Sequence, residues 1–140
     1  MAIDVGTRRI GLAISDRTRM LARPLMTIEI AGAGNNVEGA RRVAGEAAKL
    51  AAEDDGLTTI VVGLPVHLDG TPSDQTARVH DFIALLKQQT SIAIVTADER
   101  LSSVEAESRL AVREKNWRER KKKLDAAAAA VILQDYLDRG

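Results

Sequence analysis

The first sixteen residues, Met1-Ala-Ile-Asp-Val-Gly-Thr-Arg-Arg-Ile-Gly-Leu-Ala-Ile-Ser-Asp16, constrain the fold more than any other stretch. Ile3 and Val5 flank a single acid, Asp4, and Ile10–Ile14 forms a second apolar run after a short polar turn. Two apolar runs around a Gly-containing turn predict a β-hairpin. A carboxylate in the middle of an apolar strand is costly to bury unless it is paired or binds a cation. Asp4 therefore either caps the Gly6-Thr7 turn or belongs to a site. Asp16 is expected to close the hairpin.

Asp-x-Gly-Thr on a first hairpin resembles the phosphate-binding loop of actin-like sugar kinases. It also resembles the first strand of ribonuclease H-like nucleases, in which the Asp holds a divalent metal. The kinases need two such domains with nucleotide between them. A chain of 140 residues supplies one, expected to span 1–140.

The rest of the chain predicts an α/β fold. Pro24–Ile30 is a third, edge-like strand, and Ala31–Asn36 a Gly/Asn-rich loop. Apolar residues from Val37 to Ala51 recur at helical spacing and predict a helix to about Glu53, ended by Asp54-Asp-Gly56. Thr58–Gly63 is a β-branched run of the buried, parallel type. A loop over Leu64–Ser73 and a helix over Asp74–Gln89 follow, then a strand over Ile92–Thr96. Ser102-x-x-Glu105 is a capping-box pattern that starts a helix to about Arg113. The last helix is predicted from about Asp125, through Ala126–Ala130, to Leu137. The order implies an antiparallel three-strand meander, then β-α units, in one five-stranded mixed sheet with flanking helices.

Apolar residues make up 45% and charged ones 29%, as in ordinary soluble proteins. Cysteine is absent, which removes disulfides and thiolate metal sites and fits a reducing compartment. No apolar run approaches the ~20 residues of a membrane span, and the N-terminus lacks the apolar stretch of a signal peptide. The cytoplasm is the expected location, with no membrane partner. The 20 basic and 20 acidic residues cancel, but not evenly along the chain. Over 109–123, Arg109, Arg113, Lys115, Arg118, Arg120, Lys121, Lys122 and Lys123 face only Glu114 and Glu119. Such a run is either a solvated loop or a phosphate-contacting segment.

Four blocks together resemble the YqgF/RuvX family, whose members are described as Holliday-junction resolvases and as pre-16S rRNA nucleases of the ribonuclease H-like superfamily. They are Ala2–Asp16, Val62-Gly-Leu-Pro-Val-His-Leu-Asp-Gly-Thr71, Asp98-Glu-Arg-Leu-Ser-Ser-Val-Glu-Ala-Glu107 and Asp125–Leu137. They run in the family's order and span nearly the whole chain. Members usually carry a few more residues ahead of the first-strand Asp. Here Met1-Ala-Ile3 precede it, so a short central strand is expected.

The resemblance implies catalysis by three metal-binding acids, Asp4, Glu99 and Asp125, with Mg²⁺ or Mn²⁺. The chemistry agrees, since phosphodiester hydrolysis needs an activated water and a neutralised leaving oxygen, which two divalent ions ~4 Å apart provide. Such hard cations take oxygen ligands. Glu99 ends a predicted parallel strand, the usual crevice of an α/β sheet, and Asp98 is a possible substitute. Arg118, Arg120, Lys121, Lys122 and Lys123 immediately precede Asp125 and are expected to meet nucleic-acid phosphates beside the acids, as are Arg8 and Arg9 in the hairpin turn. The basic run is predicted to be mobile until substrate neutralises it. Trp117, the single tryptophan, would stack on a base or anchor the segment. Val62-Gly-Leu-Pro65 followed by Asp69-Gly70 is predicted to make a rim loop, with Gly63 permitting close backbone approach. His67 and His80 receive no role.

The expected function is metal-dependent cleavage of nucleic acid, either in maturing precursor 16S rRNA or in resolving Holliday junctions. A non-catalytic RNA-binding assembly factor is the alternative of another class. The partner is structured RNA or branched DNA, and the protein a monomer or homodimer.

Overall fold

Strand alternation sorts the sheet residues into two faces that differ in side-chain size, and this difference sets where each helix lies. The computed structural model describes residues 1–6, 8–31, 35–53, 56–67, 69–99 and 117–139, the last segment without the side chains of 117–122. Five strands, β1 (Ala2–Val5), β2 (Arg9–Ser15), β3 (Ala22–Glu29), β4 (Thr59–Leu64) and β5 (Ala93–Asp98), form one sheet in the order β3-β2-β1-β4-β5. The β3-β2-β1 part is antiparallel, and β1, β4 and β5 run parallel. This is the predicted five-stranded mixed sheet. The central strand is short, as expected: β1 pairs with β2 over Ala2–Val5 but with β4 only at Ala2 and Ile3.

One face carries Ile3, Val5, Ile10, Leu12, Ile28, Ile60 and Val62, all buried. Against it pack α1 (Asn36–Ala51), through Ala40, Val43 and Ala47, and α2 (Asp74–Gln89), through Val79, Phe82 and Leu86. Asn35 caps α1 by accepting from the Glu38 amide at 3.2 Å, and a Ser73–Thr76 capping box starts α2. The Thr76 hydroxyl also donates to the Pro65 carbonyl, tying the segment after β4 to the start of α2.

The other face is built from Ala2, Ala13 and Val61, covered by Ala129, Ala130, Ile132 and Leu133 of α3 (Trp117–Asp138). Small side chains on both sides let this helix lie close to the sheet. The alanine run of the sequence is thus a packing surface.

The strand limits differ from the predicted ones by a residue or two, mostly by extension. Pro24 is accommodated because β3 is an edge strand. The register with β2 also slips between Leu12 and Ala13 there, so the missing N–H falls at an irregularity. Asp16 closes the turn between β2 and β3, not the β1–β2 hairpin as expected: its carboxylate accepts from the Thr18 hydroxyl at 2.7 Å and the Met20 amide at 2.9 Å. Two other predictions need correction. Gly63 lies inside β4, not in a rim loop. The last helix is already formed at Trp117, two turns before Asp125, so the backbone of Arg118–Lys123 is helical where a mobile loop was expected. Lys and Arg are good helix formers, and the strongly apolar stretch after Asp125 propagates helix back through them. The helix predicted over 102–113 lies outside the described residues, as do Arg109–Asn116 of the basic run.

Candidate active site

Asp4 shares the face of Ala2, two residues before it, and so looks toward α3 rather than into the large-residue core. The same alternation places Gly11 beside Asp4 across the β1–β2 ladder, with Arg9 and Ala13 on either side of Gly11. It places Gly63 two residues beyond Val61 on β4, and Glu99 after Val95 and Ala97 on β5. Glu99 is held at the strand end by its amide, which donates to the Leu64 carbonyl at 3.1 Å. Four strands thus deliver one row of residues under the start of α3.

Within that row Asp4 and Glu99 meet. Their carboxyl groups are hydrogen-bonded, with Glu99 keeping its proton and donating it to Asp4. Both side chains keep some exposure, yet protein crowds each. Burial pushes the Glu99 carboxyl well above its ordinary range, and the bond to Asp4 and the charge of Asp4 push it further. Asp4 is also raised, by burial first; the hydrogen bond from Glu99 opposes this and the charge of Asp125 adds to it.

Asp125 reaches the site from above. A Cβ on Gly11 would stand 2.0 Å from the Asp125 carbonyl oxygen and 2.8 Å from the Ala126 nitrogen, so the helix backbone rests directly on the glycine. The Asp125 carboxylate accepts from Arg9 Nε at 2.7 Å. Arg9, expected at substrate phosphates, is here part of the acid site. Its signal in the sequence was its spacing of two from Gly11, on the same strand face. Asp98 falls on the opposite face by alternation and is no substitute for Glu99. Of Lys123, the structure shows an exposed residue of α3. For Arg118, Arg120, Lys121 and Lys122 it gives a helical backbone position only, and Arg8 lies exposed next to the β1–β2 turn.

The donor set suits a hard divalent cation in kind: oxygen only, two carboxyls in contact that cannot both ionise without a counter-charge, and a third acid close enough to add to the repulsion. Asp4 and Glu99 would hold the ion. Among the described residues, no three metal-capable side chains are already drawn together, because the Asp125 carboxylate is turned to Arg9.

The acid pair also sets a pH dependence. The native state holds a proton on the pair at pH values where the unfolded chain, with ordinary carboxyls near 4, has lost it. The native state then binds more protons than the unfolded one, so stability falls as pH rises above that range. Urea titrations of metal-free protein at pH values inside this window, which runs from the ordinary carboxyl range up to about 10, should show that fall, with a smaller slope in Glu99→Gln. Equal slopes would mean that the pair is not protonated in the native state.

Comparison with known proteins places this arrangement. The RuvX family model, described as Holliday junction resolvase, matches residues 1–139. A protein of Roseiflexus sp. named "Putative pre-16S rRNA nuclease" is 39% identical over 99% of this chain and 92% of its own length. Proteins of the same name from Anaeromyxobacter dehalogenans and Burkholderia cenocepacia are 37% and 42% identical, each over 99% of this chain and over 96% and 88% of their own lengths. Among solved structures, T. thermophilus RuvC in complex with a Holliday junction substrate superposes with a TM-score of 0.54, covering 98% of this chain and 91% of that one at 14% identity. That likeness is one of fold, the ribonuclease H-like sheet with its flanking helices. From a sheet that gathers Asp4 and Glu99 beneath Asp125, and from a match that runs nearly end to end, the chain belongs to the RuvX family.

Proposed function

We propose that this protein is a divalent-metal-dependent nuclease that hydrolyses phosphodiester bonds, with precursor 16S rRNA as its substrate. The observation that carries the proposal is the contact of Asp4 with Glu99 on the sheet face where Asp125 docks. A half-buried pair of acids in contact is costly, and such a pair is expected where its charge is used. When bound, Mg²⁺ or Mn²⁺ would activate the attacking water and neutralise the leaving oxygen. Asp4 and Glu99 would hold the ion, the proton they share passing to solvent, and Asp125 would supply a third negative charge. Arg9 orients Asp125.

The names of the relatives favour RNA. The description of the family favours a branched DNA, and Holliday-junction cleavage is the second reading. A binding-only assembly factor would not need the acid pair. Incubation with precursor 16S rRNA, a four-way junction, duplex DNA and single-stranded DNA, each with Mg²⁺ or Mn²⁺, separates the three. Cleavage of the RNA that is lost in Asp4→Asn supports the proposal; tight binding without cleavage in both forms would favour the assembly factor.

Substrate is held by the overhanging turns of α3 and by Arg8. At 100° per residue, Arg118, Lys121 and Lys122 have register positions within about 60° of Asp125, whereas Arg120 and Lys123 lie about 140–160° round the helix. Cations at a helix N-terminus oppose its dipole, a cost that a bound phosphate offsets. Replacing Lys121 and Lys122 with Ala should therefore flatten the log–log salt dependence of binding, by at most ~0.9 per lost contact on duplex DNA and ~0.7 on single strands. Lys123→Ala should change it less. Slopes unchanged in all variants would leave the basic turns without a role in binding.

A further inference from the structure

Gly63 sits in the interior of β4, flanked by Val62 and Leu64, where a glycine weakens a strand and leaves a gap in its surface. Its backbone gives no reason for the choice: the glycines with left-handed φ among the described residues are Gly56 and Gly70. The reason is space. A Cβ at this position would stand 2.7 Å from Glu99 Oε2 and 3.3 Å from Glu99 Cδ, and 2.6 Å from Ile132 Cδ1 of α3. The gap is filled by the Glu99 carboxylate, lying across β4 toward Asp4 with α3 above it.

We infer that Gly63 is a positioning residue for Glu99, its missing side chain forming the seat that holds the carboxylate against Asp4. β5 ends one residue before Glu99, so the backbone alone fixes little beyond the Glu99 amide. The long side chain must find its place by packing, and only an empty site on the neighbouring strand lets it lie flat between sheet and helix. Alanine at 63 leaves the strand able to form but fills the seat. Glu99 then swings toward solvent, and the pair that binds the cation is separated. The inference rests on the nuclease reading for its effect on rate, but not for its effect on cation binding.

Two contacts compete to explain the glycine, and they can be separated. Ile132→Val removes Cδ1 and with it the helix contact, while leaving the Glu99 contact untouched. Gly63→Ala, Ile132→Val and the double variant should be compared with wild type in two measurements. These are the rise in melting temperature on adding Mn²⁺, and cleavage kinetics on the substrate that wild type prefers. We expect Ile132→Val to behave as wild type. The double variant should fold, lose most of the Mn²⁺-induced rise, and lose about 10²-fold in kcat with KM nearly unchanged, because nucleic-acid contacts lie elsewhere. Recovery of both the Mn²⁺ response and kcat in the double variant would overturn the inference and make Gly63 a helix-packing residue. A wild type that cleaves nothing, with the Mn²⁺ responses still as expected, would sink the nuclease reading and leave the seat standing.

Discussion

Asp4→Asn, Glu99→Gln and Asp125→Asn are each expected to lower cleavage by about 10²- to 10³-fold, the equivalent of several kcal/mol of lost charge stabilisation in the transition state. The fold should survive all three, and two of them should do better than survive. Asp4 and Glu99 are held together against burial and mutual repulsion. Asp4→Asn removes the charge of the pair and Glu99→Gln replaces a carboxyl that is already protonated, and each keeps a hydrogen-bonding group of the same shape. The metal-free melting temperature of Asp4→Asn and Glu99→Gln should equal or exceed that of wild type at neutral pH. The rise on adding Mn²⁺ should shrink. Asp125→Asn should behave differently, because it leaves Arg9 without the charge it bonds at 2.7 Å. Both groups are partly exposed, so water limits the loss to about 1 kcal/mol or less. Full activity in any of the three variants would remove that residue from the site.

Among the described glycines, Gly11→Ala is expected to have the largest structural effect. The added carbon would fall 2.0 Å from a backbone oxygen, at Asp125, in the helix that packs across β1, β2 and β3 on this face of the sheet. A side chain could step aside; a helix backbone cannot without lifting the helix. Overpacking of this kind costs about 3 kcal/mol or more, which for a chain of this size lowers the melting temperature by roughly 10 °C. Lifting α3 also separates Asp125 from Asp4 and Glu99, so activity should fall in parallel. A thermal melt together with a cleavage assay checks both. Gly11→Ala with wild-type stability would mean that α3 does not rest on β2 as described.

Periodicity carried much of this architecture. Asp4 stood out because an acid between Ile3 and Val5 has no apolar role, and the apolar runs set the strand count and the mixed topology. Glu99 was legible as the residue after a parallel strand. The start of α3 was not, because the basic run lacks the apolar spacing by which a helix is recognised, and its helicity is borrowed from the segment that follows. Nor was the partner of Arg9, since an ion pair between residues 116 apart in sequence leaves no local trace. Gly63 was expected to let backbone approach closely in a rim loop; what meets it instead is a side chain from the neighbouring strand, which only the β4–β5 register reveals. Asp98 and Glu99 were adjacent candidates, and counting by twos from Val95 would have chosen between them.

The two faces of the sheet divide the labour of the protein by residue parity. On β1, β2 and β4, Ile3, Val5, Ile10, Leu12, Ile60 and Val62 alternate with Ala2, Asp4, Gly11, Ala13, Val61 and Gly63. The first set can be exchanged among aliphatics of similar volume at modest cost, and any shift is absorbed by α1 and α2, which carry no acid of the site. The second set has no such slack, since each added carbon there is transmitted to the spacing of three carboxylates. Substitutions are therefore expected to be tolerated in one set of positions and to cost function in the other. An engineer seeking a hardier enzyme can work on alternate residues of the same strands without touching the chemistry.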